Sequence, residues 1–192
     1  MSLIQIMSKN QTKLKIAEAI SDLNSGSSTK ALAALKILET IGDKSILPSL
    51  VQAMKNSDET VLKAIIELIS NVQDQDSTED LVEIIRNEKD AVVRQKLLTS
   101  IWNSKLDFST FLAEFVSLAT EGDFLQALEC LTIIENLSGP FEEHQLLESQ
   151  LYLKDYLEDS EEKEERKNQI ISEIALFIKD QNDGIDADLL LD

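Results

Sequence analysis

Apolar residues recur along this chain in blocks at helical spacing, and the blocks repeat after about 31 residues. The first block of each unit has apolar residues at i, i+1 and i+4, namely Ala34, Leu35 and Leu38, then Ile65, Ile66 and Ile69, then Leu97, Leu98 and Ile101. The second blocks begin at Leu50, Leu81 and Leu112, which are 31 residues apart in both steps. Three units in register predict successive pairs of amphipathic helices with these blocks in the core.

Polar and turn-forming residues mark the ends of the predicted helices. Gly42 and Asp43 end the first helix of the first pair, and Pro48 begins the second. Asp58 and Asp90 each stand three residues before a valine of the apolar pattern. At that position a carboxylate accepts hydrogen bonds from the first N–H groups of a helix. These signals predict the same helix boundaries as the apolar pattern.

A fourth unit follows the same plan less regularly. Pro140 fits the first turn of its second helix, where the missing N–H of proline costs nothing. The residues predicted to enter the core of this unit are Phe124, Leu128, Leu131, Leu147 and Leu151.

Further helices are predicted at both ends of the repeats. Ser8 and Gln11 have the spacing of a capping box, and an apolar face that begins at Leu14 and ends at Leu23 follows. This predicts an N-terminal capping helix over residues 8–24, because the open end of a repeat stack must be covered. The predicted divisions are an N-terminal cap (1–27), repeats (28–158), an acidic linker with a C-terminal capping helix (159–180) and an acidic tail (181–192).

Three stretches resemble HEAT repeats of the short bacterial type. They are residues 38–43 with a Gly-Asp turn, residues 48–54, and residues 90–97 with an Asp-x-x-Val-Arg start. The resemblance implies an all-α, right-handed superhelix of about four helix pairs, in which an Asp–Arg ladder joins neighbouring repeats. Only Asp90 and Arg94 keep both ladder residues. We therefore expect apolar packing to hold the repeats together.

Charge narrows the classes of partner. The chain carries 36 acidic and 18 basic residues, a net of −18, and residues 141–192 carry 16 acidic and 5 basic residues, a net of −11. Such a surface repels phosphate backbones and anionic membranes, which bind clusters of Lys and Arg. We therefore expect no nucleic acid and no membrane as partners, and a basic or mixed-charge protein instead. The alternative is that the charge serves only solubility.

Cys130 is the only cysteine and lies among apolar residues, which favours a core position and excludes an intrachain disulfide. Residues 1–9 lack the basic run and the apolar core of a signal peptide. No apolar stretch of the sequence has the length of about 18 residues that a membrane helix needs. These features predict a cytoplasmic protein.

No catalytic or cofactor motif stands out. His144 is the only histidine, so a histidine-rich metal site is excluded, and we interpret it as a surface residue. The chain contains no Gly-x-Ser-x-Gly, no Gly-rich phosphate loop and no His-Glu-x-x-His. We therefore predict a protein that is not an enzyme and that needs neither a metal nor a cofactor.

The resemblance places the second helix of each pair on the concave side of the superhelix. The side chains expected to face out there form an acidic row of Asp80, Glu83 and Glu114, with Glu148 as its extension. This row is a candidate binding surface for a basic segment. The alternative is an ordinary solvated helix face.

Two aromatic residues are further candidates for partner contact. Trp102 follows the core residue Ile101 at a position where the other units carry polar residues, which suggests an interface anchor. Phe111 precedes the block of Leu112 and lies at the edge of the acidic row. The alternative for both is packing within the third turn. The apolar residues 189–191 form either a docking motif or a frayed end.

The first hypothesis is therefore a non-enzymatic scaffold or adaptor that binds a basic or mixed-charge protein segment on its concave face. A second hypothesis is a small-ligand or chromophore-binding role, because similar repeats occur in bilin-lyase-type proteins. No convergent set of His, Tyr, Arg and Asp supports that role. A third hypothesis is a structural subunit that acts only in an assembly, through Trp102 or the tail.

Overall fold

The computed structural model describes residues 3–159 and 164–189, with side chains from 10 to 159 and from 164 to 182. Ten α-helices and no strand are present in this part of the chain. Short 3₁₀ helices, Lys44–Ile46 and Ser109–Phe111, lead into the third and seventh helices. The helices are α1 Leu3–Leu23, α2 Ser28–Ile41, α3 Leu47–Met54, α4 Glu59–Ser70, α5 Ser77–Asn87, α6 Ala91–Trp102, α7 Leu112–Glu121, α8 Phe124–Asn136, α9 Glu143–Glu158 and α10 Glu165–Leu189.

The helices confirm the predicted pairs. A first helix and a second helix form each pair, namely α2 with α3, α4 with α5, α6 with α7, and α8 with α9. The apolar blocks of the first three pairs are buried, with Ile66 alone among them partly exposed. The fold class is therefore all-α, built from the helix pairs of an α-solenoid.

The chain forms two compact units, residues 1–81 (unit 1) and residues 82–192 (unit 2), and the division falls inside α5. In unit 1, α1 packs against α2, and α4 packs against both α2 and α3. Leu38, Leu50 and Ile65 are buried in its core. Asp58 begins α4 as its N-cap, because its carboxylate accepts the N–H groups of Thr60 and Val61 at 2.9 and 3.0 Å.

In unit 2, α8 lies at the centre and packs against α6, α7 and α10, while α9 packs against α7 and α10. Residues 165–168 attach the start of α10 to the neighbouring helices. Lys167 donates from Nζ to the carbonyl oxygen of Thr120 at 2.7 Å, and the guanidinium of Arg166 lies 3.9 Å from the centre of the Phe124 ring. The cation and the ring attract each other, which holds this end of α10 on α8.

A Gly-Asp turn occurs once in each unit. The N–H of Gly42 donates to the carbonyl oxygen of Leu38 at 2.7 Å, and Asp43 accepts an N–H group of the following 3₁₀ helix at 2.9 Å. A Cβ atom on Gly42 would lie 2.5 Å from that carbonyl oxygen, so only glycine fits. Gly122 and Asp123 repeat the arrangement before α8.

The prediction for the N-terminal helix is wrong in two details. α1 begins at Leu3, so Ser8 lies inside the helix and does not cap it. Leu14 is 64% exposed, whereas Ala19 and Leu23 are buried against α2. The physical reason is that α1 packs mainly against α2, which covers a narrower stripe than the apolar pattern offers.

The core prediction for the fourth pair is also largely wrong. Leu128, Leu147 and Leu151 are exposed. Pro140 lies before α9, which begins instead with a capping box of Glu142 and Gln145. The residues of this pair that fill the core are Ala127, Cys130, Leu131, Ile133, Ile134, Leu146, Leu153 and Tyr156. The buried stripe of α9 also contains Gln145 and Ser149. Because these residues are polar, the apolar pattern of the sequence did not indicate this stripe.

Candidate partner-binding face

The outward side of the second helices in unit 2 carries several polar side chains. We define the second-helix face as the solvent-facing side of α5 from residue 82 onward, of α7 and of α9. Its row consists of Glu83 and Arg86 on α5, Glu114 on α7, and Glu148 and Tyr152 on α9. Three of the predicted site residues, Glu83, Glu114 and Glu148, therefore lie on one face.

An ion pair between α5 and α7 neutralises the centre of this row. Arg86 Nη2 donates to Glu114 Oε2, and the side chains of the two residues are 52% and 28% exposed. A partly exposed pair of this kind contributes modestly to stability, about 1 kcal/mol or less. Its main effect on the face is that Arg86 does not repel a positively charged partner.

A hydrogen bond within α9 continues the row. The hydroxyl of Tyr152 donates to Glu148 Oε1 at 3.1 Å. Burial raises the pKa of Tyr152, the hydrogen bond to the Glu148 carboxylate raises it further, and the positive charge of Arg86 lowers it. The charge of Arg86 acts on Tyr152, which indicates that the α5 and α9 ends of the row lie near each other.

Glu83 and Glu148 are the exposed carboxylates of this row. Glu83 makes no ion pair or hydrogen bond among the described side chains, and Glu148 binds only the neutral Tyr152. Leu147 and Leu151, both exposed, lie beside Glu148 on the same side of α9. The face therefore combines negative charge with apolar surface.

Asp80 belongs to unit 1, although it lies on the same helix as Glu83. Its carboxylate forms an ion pair with Lys44 Nζ at 2.9 Å, and this hydrogen bond raises the pKa of Lys44. The same ammonium donates to the carbonyl oxygen of Asp76 at 3.3 Å. Asp80 therefore has a cation of its own within unit 1.

Phe111 is half buried at the end of its 3₁₀ helix. Its ring centre lies 6.4 Å from that of Phe108, which lies 6.1 Å from that of Phe115 in the core. These three rings connect the surface with the centre of unit 2. Part of the surface of Phe111 is thus covered within the protein.

Trp102 lies at the end of α6, a first helix, and is 41% exposed. Its Nε1 donates to Glu129 Oε2 on α8 at 2.6 Å, and the Oγ1 of Thr99 donates to the other oxygen of Glu129 at 3.1 Å. The indole is therefore held in one orientation with part of its ring in solvent. It lies on the side of α6 and α8 and does not belong to the second-helix face.

Residues 14–102 match the family model of HEAT repeats, as the resemblance predicted. Such repeats generally mediate protein–protein interaction and typically form non-enzymatic scaffolds. Comparison with curated proteins gives no match, and comparison with solved structures gives none.

The polar contacts between neighbouring repeats differ from the Asp–Arg ladder that the resemblance implies. Asp90 caps α6 by accepting the N–H groups of the second and third residues of that helix at 3.0 and 3.2 Å. Arg94 donates from Nε to the carbonyl oxygen of Glu88 at 2.9 Å and from Nη1 to Gln126 at 3.5 Å. An amide one repeat further along thus takes the place of the expected aspartate.

A cavity of about 650 Å³ opens in unit 1 between α2, α3 and α4. Its floor is apolar and includes Leu38 and Leu50, and its rim carries Asp43 and Lys44. Ser77 also lines it, and the buried Oγ of Ser77 has no hydrogen-bond partner among the described residues. This cavity is the structural feature that relates to the small-ligand hypothesis.

The remaining reactive side chains do not form a catalytic arrangement in the described part of the chain. His144 is exposed, with Nδ1 3.2 Å from a carboxylate oxygen of Glu142. Cys130 is buried, and burial raises the pKa of its thiol. Among the described residues, no group of three or more His, Cys, Asp or Glu side chains could hold a metal ion. None of the described helices is long and apolar enough to cross a membrane.

The sequence did not single out Arg86, Glu129 or Tyr152. The repeat spacing could have pointed to the first two, because each binds a residue about one repeat away. Arg86 binds Glu114, 28 residues further along the chain, and Glu129 binds Thr99, 30 residues before it. The apolar residues 189–191 cannot be placed in the same way. The side chain of Leu189 is not described, and residues 190–192 lie outside the described residues.

Proposed function

We propose that this HEAT-repeat protein is a non-enzymatic scaffold that binds a basic or mixed-charge protein segment on the second-helix face of unit 2. The observation that carries the proposal is the state of the charges on that face. Arg86 is neutralised by Glu114, whereas Glu83 and Glu148 keep exposed carboxylates. A Lys or Arg of a partner would meet these carboxylates without breaking an ion pair of the face.

The charge of the whole chain supports the same partner class. A net of −18 steers basic proteins toward the molecule and repels nucleic acid. The net of −11 over residues 141–192 concentrates this effect in unit 2. A cytoplasmic location fits a chain whose single cysteine is buried and forms no intrachain disulfide.

Charge reversal on the face tests the proposal. The test variant combines Glu83→Lys with Glu148→Lys, and the matched control combines Glu135→Lys with Glu173→Lys. The control residues are exposed in unit 2 on α8 and α10, so both variants change the net charge equally. Reversal at Glu114 is avoided, because it would also break the pair with Arg86.

The assay is capture of proteins from a native lysate at two salt concentrations, followed by their identification. We expect basic proteins in the wild-type eluate that are lost at high salt, lost with the test variant and retained with the control. Equal loss with both variants would mean that only total charge matters. Equal capture by all three proteins would exclude the second-helix face as the binding site.

A second candidate function is binding of a small amphipathic molecule in the cavity of unit 1, favoured by the buried hydroxyl of Ser77. A thermal-shift panel of chromophores and nucleotides tests it. A compound that binds in the cavity should raise the Tm of the wild type more than that of a Ser77→Ala variant. An equal rise in both proteins would place the compound elsewhere.

A further inference from the structure

Helix α9 carries leucines on its exposed side as well as on its buried side. Leu146 and Leu153 are buried at 0% and 6% exposure, whereas Leu147 and Leu151 are 52% and 59% exposed. The exposed two are four residues apart, so they lie one above the other on the same side of the helix. A single exposed leucine is ordinary, but two in register form an apolar stripe.

Charged side chains flank this stripe. Glu148 follows Leu147 directly, and Asp155 lies one turn beyond Leu151, with both carboxylates exposed. The nearby cation, Lys154, is 3.7 Å from Glu158 and is therefore already paired. The stripe thus lies on a surface with a surplus of negative charge, at the α9 end of the second-helix face.

We propose that the Leu147–Leu151 stripe seats an amphipathic helix of a partner that carries Lys or Arg beside its apolar residues. This inference rests on the proposed function and specifies the partner's chemistry. An apolar pair one turn apart matches the spacing of an apolar stripe on a helix. The flanking carboxylates require cations next to that stripe.

Other occupants fit this surface less well. An extended segment that binds by strand addition needs a sheet edge, and a helix face offers no such edge. A second copy of the chain would meet α9 across a twofold axis, which would bring Glu148 and Asp155 of both copies close together. With a net of −18 on each copy, that contact is repulsive.

A defined peptide pair tests the inference on the full-length protein. The probe is a labelled leucine–lysine peptide of about five helical turns with its leucines on one face. The control peptide has the same composition in scrambled order, so it has equal charge and no stripe. Binding is measured by fluorescence anisotropy with the wild type, with Leu147→Ser plus Leu151→Ser, and with Leu125→Ser plus Leu128→Ser. The last two leucines are 49% and 39% exposed on α8, which makes that protein a matched control.

We expect the patterned peptide to bind the wild type at least about tenfold more tightly than the scrambled one. The α9 variant should lose at least about tenfold in affinity, and the α8 variant should stay within about twofold of the wild type. Circular dichroism checks that both variants keep the helical content of the wild type.

Three results would overturn the inference. Unchanged affinity of the α9 variant would show that the stripe is not used, and a loss with Glu83→Lys plus Glu148→Lys would then still support the proposed function. Equal affinity for the two peptides would show that charge alone binds them. A larger loss in the α8 variant would place the docking surface on α8.

Discussion

Adjacent leucines on α9 should differ sharply in their contribution to stability. The first variant is Leu146→Ala, at a residue that is fully buried, and the second is Leu147→Ala, at a residue that is 52% exposed. The two substitutions remove the same atoms from neighbouring positions of one helix. Any difference between them therefore reports which side of α9 faces the core.

The magnitudes follow from burial. Truncation of a fully buried leucine removes its transfer free energy and leaves a cavity, which costs about 3 kcal/mol. Truncation at Leu147 should cost about 0.5 kcal/mol or less, because half of the side chain is already in water and alanine favours helix slightly more than leucine does. For unit 2, residues 82–192, the first change corresponds to a fall in Tm of about 13 °C.

The assay is urea unfolding followed by circular dichroism. The two compact units can unfold in separate transitions, so the transition of unit 2 is the one to compare. A cost above about 2 kcal/mol at Leu147 with a negligible cost at Leu146 would refute the reasoning. That result would show that Leu147 lies in the core, as predicted from the sequence, and would remove the basis for a docking surface on α9.

Three further predictions concern other parts of unit 2. Glu129→Ala should shift the emission of Trp102 to the red, increase its quenching by acrylamide and cost about 1 kcal/mol of stability, since the indole loses its acceptor. Because the pKa of Tyr152 is raised in the folded state, its contribution to stability is complete below the ordinary tyrosine pKa of about 10 and is lost as pH rises above it. Tyr152→Phe should therefore reduce the alkaline decline of the urea midpoint, and an unchanged decline would contradict this. The buried thiol of Cys130 should react with a disulfide reagent at least about a thousandfold more slowly in the native protein than in urea, and rapid native reaction would contradict its burial.

Much of the fold could be predicted from the sequence, because the first three pairs repeat in register. The apolar blocks that begin at Leu50, Leu81 and Leu112 all lie on the buried sides of second helices. The Gly42 turn and the Asp58 and Asp90 caps mark helix ends by local geometry, which needs no knowledge of tertiary contacts.

The fourth pair could not be predicted in the same way. On α9 two apolar stripes are possible, and the one through Leu147 and Leu151 is purely leucine. The stripe that packs includes Ser149, whose hydroxyl donates to the carbonyl oxygen of Gln145 at 2.7 Å and is thereby satisfied in the core. The packing of α9 against α7 and α10 determines which stripe is buried, and this tertiary packing cannot be predicted from the pattern of one helix.

The acidic row was predicted from helix positions alone, without the side chains that its members bind. The sequence shows Glu114 as a free carboxylate, whereas Arg86 binds it in the folded protein. Asp80 similarly binds Lys44. Ion pairs between residues far apart in the chain depend on side-chain placement, which periodicity alone does not provide.

The proposed binding of a basic protein segment to the second-helix face of unit 2 can be mapped residue by residue. The measurement is a series of amide NMR spectra of the labelled protein during titration with the patterned leucine–lysine peptide. We predict that the perturbed amides cluster around Glu83, Glu114, Glu148 and Leu151. Perturbations that cluster instead around Trp102 and the outer side of α8 would contradict the claim.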